Sequence, residues 1–564
     1  MTAQGAAVRL SQPQVVGAAS LLRPSALFLL WALLTLVALW ARPLVPVDET
    51  RYATVAWEMW LSSDWLLPHL NGTAYADKPP LLFWLINLAW ALAGPSEWSA
   101  RFVGAAATLL DLWLLHRLER LLWPEGSAKA SLSPWLFYGC FFVASFSTFL
   151  MFDMVLTAAV LLALIGLVRA SRHGGFANWA LYAIGIGIGA LTKGPVILVY
   201  LLPVALLGPW WLAASPAGGW RRWYGPFALA VLAGAVLALC WAVPAGRRGG
   251  PGYNEMILWG QTAGRMVSAF QHARPWWWYL PVLPVILLPW SLWPPIWRAL
   301  AAARKDAGAA ERFCMAWFLP GLVAFSAISG KQVHYLIPLL PALALLAARA
   351  LQRLPERTAG AGSLALVLAP WICLGLAISL ASPLAALQGL PSWWSRLSPA
   401  WGVALAAVAL AWWPVLRSPP AHRRLATLTV LLAALMHAGP VHDAVYPAFD
   451  AGPLAKSIAA LQDGGKMVVY PGKYHGDFQF AGRLRQPLAQ FWPGTEIAFA
   501  NAHPQAVLIL NHRLLNDEQR AAAILALPYR SGETALWHAA TLIAHPEYAA
   551  GALPGTGSLR DGPD

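Results

Sequence analysis

Long apolar runs separated by short polar stretches fill the first 440 residues. A helix that crosses a bilayer needs about 20 mostly apolar residues. Held against that length, the runs near 25–41, 98–116, 132–150, 153–169, 177–193, 195–214, 224–243, 276–297, 313–328, 335–351, 362–384, 398–416 and 425–440 predict thirteen crossings. A further run, 81–93, is apolar but short. The stretch 49–61 has a different rhythm: Tyr52, Val55, Ala56 and Met59 recur at helical spacing, with Trp57 and Trp60 beside them. That is the pattern of an amphipathic helix lying flat among lipid headgroups, with Asp48 placed to cap it. From Val441 the pattern changes. Strand-like runs at 467–470, 497–499 and 506–510 alternate with helical runs at 453–462 and 517–526, which predicts a small α/β domain. The expected fold is an all-α polytopic membrane protein over 1–440 with a C-terminal α/β domain over 441–564, ending in a loose Gly-, Pro- and Ser-rich tail.

Composition agrees and narrows the class. Hydrophobic residues make up 59% and charged residues 11% of 564, against about 45–50% and 25% in soluble domains. That excludes a water-soluble fold, a disordered chain and a coiled coil. The net charge is 39 − 25 = +14. In a soluble chain this would suggest nucleic acid; in a membrane protein its first meaning is orientation, and no nucleic-acid partner is expected. If 81–93 does not cross, the basic groups at Arg9 and Arg23, Arg117 and Arg120, Arg169 and Arg172, Arg221 and Arg222, Arg298 to Arg312, Arg349 to Arg357, and Arg417 to Arg424 all fall on one side. That is the positive-inside pattern; a crossing at 81–93 would invert every later loop. The segment 81–93 is therefore read as interfacial or re-entrant, the N-terminus as cytoplasmic and the C-terminal domain as external. The first run has no small-residue cleavage site after it and reads as a retained anchor. Cys140, Cys240, Cys314 and Cys373 lie in apolar runs without CxxC spacing, so neither a disulfide framework nor a zinc site is expected. No internal repeat of the inverted-repeat transporter kind is visible.

This topology gathers polar stretches on the external face: 47–52, 75–80, Asp153 at the outer end of the fourth crossing, 191–194, 264–275 and 329–335. Charges at membrane depth are costly and tend to mark function. A cationic set, Arg51, Lys78, Arg265 and Lys331, suits a phosphate through charge-assisted bonds. An acidic set, Asp48 and Asp153, suits a sugar hydroxyl, an amine, a metal or a proton. Together they fit a phosphate-linked sugar better than a simple ion.

The residues Asp48-Glu49-Thr50-Arg51-Tyr52, Ser63-Asp64-Trp65, Pro68-His69 and Asp77-Lys78-Pro79-Pro80 resemble the bacterial 4-amino-4-deoxy-L-arabinose transferases of lipid A. These are GT-C glycosyltransferases related to protein O-mannosyltransferases. The resemblance continues at Asp153, Thr192-Lys193-Gly194, 271–279, Lys331 and Tyr335. It implies a bacterial inner-membrane transferase, with its site and C-terminal domain periplasmic, that takes a sugar from a polyprenyl phosphate and gives it to lipid A or another envelope acceptor. It implies that Asp48 and Asp153 are catalytic and that Lys78, with Arg51 and Tyr335, contacts the lipid phosphate; Arg265 and Lys331 join them as phosphate-binding candidates. In the relatives a Glu precedes the lysine and shares a metal with a loop histidine. Here that position is Asp77, with His272 as partner, and the shorter side chain weakens the case for the metal; no other cofactor is expected. Asn71-Gly72-Thr73 matches a glycosylation sequon and is set aside in a chain that looks bacterial.

The implied reaction is displacement at the anomeric carbon, with Lys78, Arg51 and Arg265 stabilising the leaving phosphate. An anionic acceptor phosphate needs little base; a hydroxyl acceptor would make Asp48 the general base. The alternatives are a related transferase for a hexose or uronic acid, a transporter of lipid-linked sugars, or a binding or scaffold protein whose outer domain does the work. External rather than midplane charges disfavour the transporter.

Overall fold

The computed structural model describes residues 22–125, 131–216, 219–257, 273–353, 360–385, 392–550 and 552–553. Arg265 and His272 lie outside the described residues. By length and composition, seven helical segments among the described residues are long and apolar enough to cross a membrane. Several of the expected crossings are broken, two of them most clearly. The run 132–150 forms two short helices parted at Gly139 and Cys140, and 276–297 is divided into Trp276–Trp278, Tyr279–Ile286, Trp290–Leu292 and the start of Pro294–Ala303, with breaks at Pro289 and Pro294. Proline removes a main-chain donor and clashes with the preceding turn, so apolar length alone overstates continuity there.

Chain order at the N-terminal end sets up the site. Helix α1 (Leu22–Ala41) leads into α2 (Asp48–Ser62), a hairpin of β1 (His69–Leu70) and β2 (Thr73–Ala74), α3 (Leu81–Ala93) and α4 (Glu97–Leu122). Helix α2 starts on Asp48 itself, with Val47 at the cap position and no side-chain cap bond. Asp48 is thus in the first turn, where a negative charge favours the helix dipole. The 13 residues of α3 span about 20 Å at 1.5 Å per residue, too short for a hydrocarbon core of about 30 Å.

After α5 (Ser133–Tyr138) and α6 (Phe141–Phe146), α7 (Phe152–His173) runs through the centre of the helical body. Along its most apolar stretch 83% of residues are buried. Helix α8 (Phe176–Lys193) packs on it at glycine contacts: a Cβ on Gly185 would lie 2.8 Å from the Ala159 carbonyl oxygen, and one on Gly166 2.7 Å from the Tyr182 nitrogen. This closeness brings the start of α7 beside the end of α8.

The C-terminal region carries a mixed sheet in the order β4 (Ala489–Phe491), β3 (Val468–Pro471), β5 (Val507–His512), β7 (Gly532–His538), β6 (Leu525–Tyr529), with β8 (Ala552–Leu553) on the far end of β5. Strands β3, β4 and β5 are parallel; β6, β7 and β8 pair antiparallel. Two expected strands are found near 467–470 and 506–510. The third, 497–499, lies instead in a helix, Glu496–Ala502; Glu496 in its first turn is a helix-start signal that outweighs the short Ile-Ala-Phe run. The helix expected at 517–526 stops at Ala522 and the chain turns into β6. All four cysteines are free thiols.

The C-terminal region docks directly on α2. Thr54 Oγ1 donates to the Gly476 carbonyl (2.8 Å) and Trp57 Nε1 to the Leu484 carbonyl (3.0 Å). Phe480 stacks on Trp90 of α3 at 4.8 Å between centroids, with Trp57 edge-on. Asn71, the residue of the apparent sequon, is 8% exposed and exchanges bonds with Leu488 and Gln479. Helix α2 is therefore buried on most of its circumference. Its second face meets protein where an interfacial helix would meet headgroups and water.

Candidate functional site

Two acid–cation pairs form at one end of the helical body. The first is on α2. Asp48 Oδ1 accepts from Arg51 one turn on and from the Tyr52 hydroxyl (3.1 Å). Burial acts to raise the Asp48 carboxyl, but Arg51, the Tyr52 hydroxyl and Lys78 outweigh it and hold it below the usual carboxylate range. Asp48 is thus an anion at neutral pH, and its side chain is 45% exposed. Arg51 Nε is buried and has no partner, an unspent donor beside the pair. Lys78, just before α3, donates to the Asp77 carbonyl oxygen at 3.2 Å.

The second pair joins α7 to α8. Asp153, fully buried in the first turn of α7, accepts from Lys193 Nζ at 2.6 Å. Its other oxygen, Oδ2, is buried without a partner. Lys193 sits 4.7 Å from the centroid of the Tyr335 ring, an attractive cation–π distance, and the Tyr335 carbonyl is fixed by the Tyr200 hydroxyl (2.8 Å).

The two pairs are neighbours. Tyr52, bonded to Asp48, meets Phe152, the residue before Asp153, edge-to-face at 4.8 Å. His334 lies within electrostatic reach of Asp153, Lys193, Asp48 and Lys78 together, stacked on Phe146 at 5.6 Å. Of the expected site residues, Asp48, Arg51, Lys78, Asp153 and Tyr335 therefore gather. Lys331 is only 3% exposed and is tied to main-chain carbonyls of Arg274 (3.0 Å) and Ile328, so most of its donors brace the loop that precedes Tyr335.

Asp77 is within electrostatic reach of Arg51 and adjoins Lys78. A cationic surrounding suits an anion better than a divalent metal ion. Among the described residues no group of three or more His, Cys, Asp or Glu could hold a metal, and the chemistry below is derived without one.

Three residues gain roles that sequence reasoning did not assign. Lys193 is the partner of Asp153, His334 faces both pairs, and Glu49 is a buried brace. Glu49 pairs with Arg42 at 2.5 Å and accepts from the main-chain nitrogens of Val45 (2.8 Å) and Leu150 (2.6 Å). It thereby ties the start of α2 to the segment that leads into Asp153. A lone lysine and a lone aspartate at the outer ends of successive apolar runs were the available signal for the Asp153–Lys193 pair, because buried charges pair.

The chain is similar to known proteins in sequence and in fold. The sequence pattern of the family described as dolichyl-phosphate-mannose-protein mannosyltransferase matches residues 77–246. The chain is 36% identical over 371 residues to the undecaprenyl phosphate-alpha-4-amino-4-deoxy-L-arabinose arabinosyl transferase of Pseudomonas aeruginosa, covering 64% of this chain and 65% of that one. It is 31% identical over 372 residues to the protein of the same name from Edwardsiella ictaluri, again covering 65% of that protein. The chain thus spans just under two thirds of the curated relatives it matches. Among solved structures, it is similar to ArnT from Cupriavidus metallidurans bound to undecaprenyl phosphate, with a TM-score of 0.70 at 21% identity over 93% of this chain and 98% of that one. The apo state of the same protein gives 0.71 at 20% identity. The fold is shared over nearly the whole length.

Proposed function

We propose that this chain, an aminoarabinose-transferase-like protein with the GT-C fold, is a glycosyltransferase that moves 4-amino-4-deoxy-L-arabinose from undecaprenyl phosphate to lipid A. It sits in the bacterial inner membrane. Residues 1–440 form the transferase body, with its site on the periplasmic face, and 441–564 form a periplasmic domain seated on α2. The observation that carries this reading is the meeting of the Asp48–Arg51 and Asp153–Lys193 pairs, with Lys78 and Tyr335, at one end of the body.

Each group has a chemical part. Lys78 and the unspent Nε of Arg51 would bind the lipid phosphate and stabilise the charge it gains as the sugar leaves. Asp48 is held ionised beside them, where an anion stabilises positive charge developing on the sugar ring. A carboxyl held this low is a weak base, since a general base works best with a pKa near the working pH. That favours an acceptor already anionic, such as a phosphate on lipid A, over a hydroxyl. The unpartnered Oδ2 of Asp153 suits the amino group or a hydroxyl of the sugar.

Mass spectrometry of lipid A from cells lacking the chain tests this, with complementation by wild type or Asp48→Ala. Wild type is expected to restore a pentosamine-sized addition and Asp48→Ala is not. Identical lipid A in all three strains would remove the aminoarabinose reading. The polyprenyl-phosphate sugar that accumulates would then identify the donor, a hexose or uronic acid among the candidates.

A further inference from the structure

In the C-terminal sheet, the parallel strands β3 and β5 end side by side, and the β6–β7 turn at Arg530 and Ser531 closes beside them. In α/β sheets, ligands bind outside the carboxyl ends of the parallel strands, where the strand order changes direction. A cavity of about 190 Å³ lies there. Its aromatic wall is Phe478 against Tyr529, with ring centroids 5.7 Å apart. The Tyr529 hydroxyl, Arg530 Nη1 and His512 Nε2 are buried with no hydrogen-bond partner; Tyr529 and His512 are 5% and 4% exposed. Leaving a buried polar group unpaired costs about 1–3 kcal/mol, and nearly all such groups are paired in folded proteins. Three around one cavity give it polar atoms that a ligand entering it can bond.

The carboxylates on the wall differ. Glu533 is spent on Arg520 (3.1 Å) and the Leu515 nitrogen (2.7 Å). Asp477, 2% exposed, receives a long bond from Thr50 of α2 (3.4 Å) and lies within electrostatic reach of Arg530 and Arg51. The cavity thus offers a cation and an acid within electrostatic reach of each other, two further polar groups and an aromatic face. Pockets for drug-sized ligands run about 300–1,000 Å³, so this one has room for a single sugar ring and not for a nucleotide or an acyl chain.

We propose that this cavity binds one anionic sugar ring. Arg530 takes the phosphate or carboxylate, Tyr529 and His512 bond to hydroxyls, and Asp477 accepts from a hydroxyl or amine. The ring lies on Phe478 and Tyr529. The cavity adjoins the first-loop cluster through Asp477, which lies within electrostatic reach of Arg51, but it is read out as affinity rather than transfer, so its failure and that of the transferase reading are separate results.

The test is calorimetric titration of the purified full-length protein in detergent micelles with glucosamine 1-phosphate, glucose and inorganic phosphate. Glucosamine 1-phosphate is expected to bind more tightly than either of the others. Arg530→Asn should weaken it about tenfold or more, as expected for a lost charge-assisted bond. Asparagine is chosen because Arg530 has φ +59°, a conformation it tolerates. Tyr529→Phe, which keeps the ring, should weaken binding about fivefold. Lys78→Ala reports on the other phosphate-binding candidate. The proposal is overturned by absence of saturable binding to wild type, by equal affinity in wild type and Arg530→Asn, or by loss in Lys78→Ala with none in Arg530→Asn. Inorganic phosphate binding as tightly as the sugar phosphate overturns the sugar assignment. Should Arg530→Asn unfold early, Tyr529→Phe decides, and unchanged affinity refutes the site.

Discussion

Asp48 and Glu49 are consecutive acids on one helix, yet they sit in opposite regions. Glu49 and its partner Arg42 have side chains 2% and 3% exposed, and main-chain nitrogens from both flanks complete the junction. Asp48 pairs with Arg51 on the open side of α2, with its own side chain 45% exposed. The first arrangement is a joint, and the second is the surface to which the proposed function assigns the ligand. A buried charge is tolerable only when fully paired, and removing one partner leaves the other stranded. A pair whose carboxylate is open to one side contributes less to stability than a fully buried one and can spend its charge on a ligand. The same residue chemistry therefore separates into structure and function according to what covers it.

The largest expected effect comes from breaking the joint. Glu49→Ala should destabilise the protein by about 3–5 kcal/mol, read as lowered thermal unfolding and lower membrane yield. Unchanged unfolding would mean that Arg42 and Glu49 do not carry the junction. Asp48→Asn should do the reverse: transfer falls about 100- to 1,000-fold while unfolding shifts by less than about 0.5 kcal/mol. If this variant unfolds as early as Glu49→Ala, the contrast between the two acids fails.

Smaller effects test what covers α2. Thr54→Val removes the bond to Gly476 and should weaken docking of the C-terminal region by about 1 kcal/mol, measured as faster proteolysis near 440–452. No change would place the docking energy elsewhere, in Phe480 and its rings. The smallest effect is with pH. The folded Asp48 carboxyl lies below its unfolded value of 3.8. The stabilisation from its pair is therefore complete above about pH 4 and is lost only as pH falls through the lower folded value. The ratio of wild-type to Asp48→Asn transfer rates should accordingly be flat from pH 7 to pH 5. A ratio that falls across that range would show Asp48 titrating there, as a general base would.

Much of this was legible in the sequence, for a physical reason. Hydropathy is a local property, so the apolar runs, the change at Val441 and the short run at α3 could be read one segment at a time. The motif around Asp48 and Lys78 was equally local. Some misreadings were also local: prolines cut 276–297, and Glu496 turned an apparent strand into a helix start.

What sequence alone determined is therefore the class of chain, the membrane body with its C-terminal α/β region, and the residue types that can hold a phosphate and a sugar. Only tertiary structure decided which charges meet. Asp153 and Lys193 are 40 positions apart and pair because small residues let α7 and α8 close. Lys331 counts among the phosphate-binding candidates by sequence, but main-chain carbonyls of Arg274 and Ile328 take two of its donors. Asp48 and Glu49 were indistinguishable as letters. Burial is a property of the surroundings that long-range packing assembles, so no reading of neighbouring residues could tell the joint from the open surface.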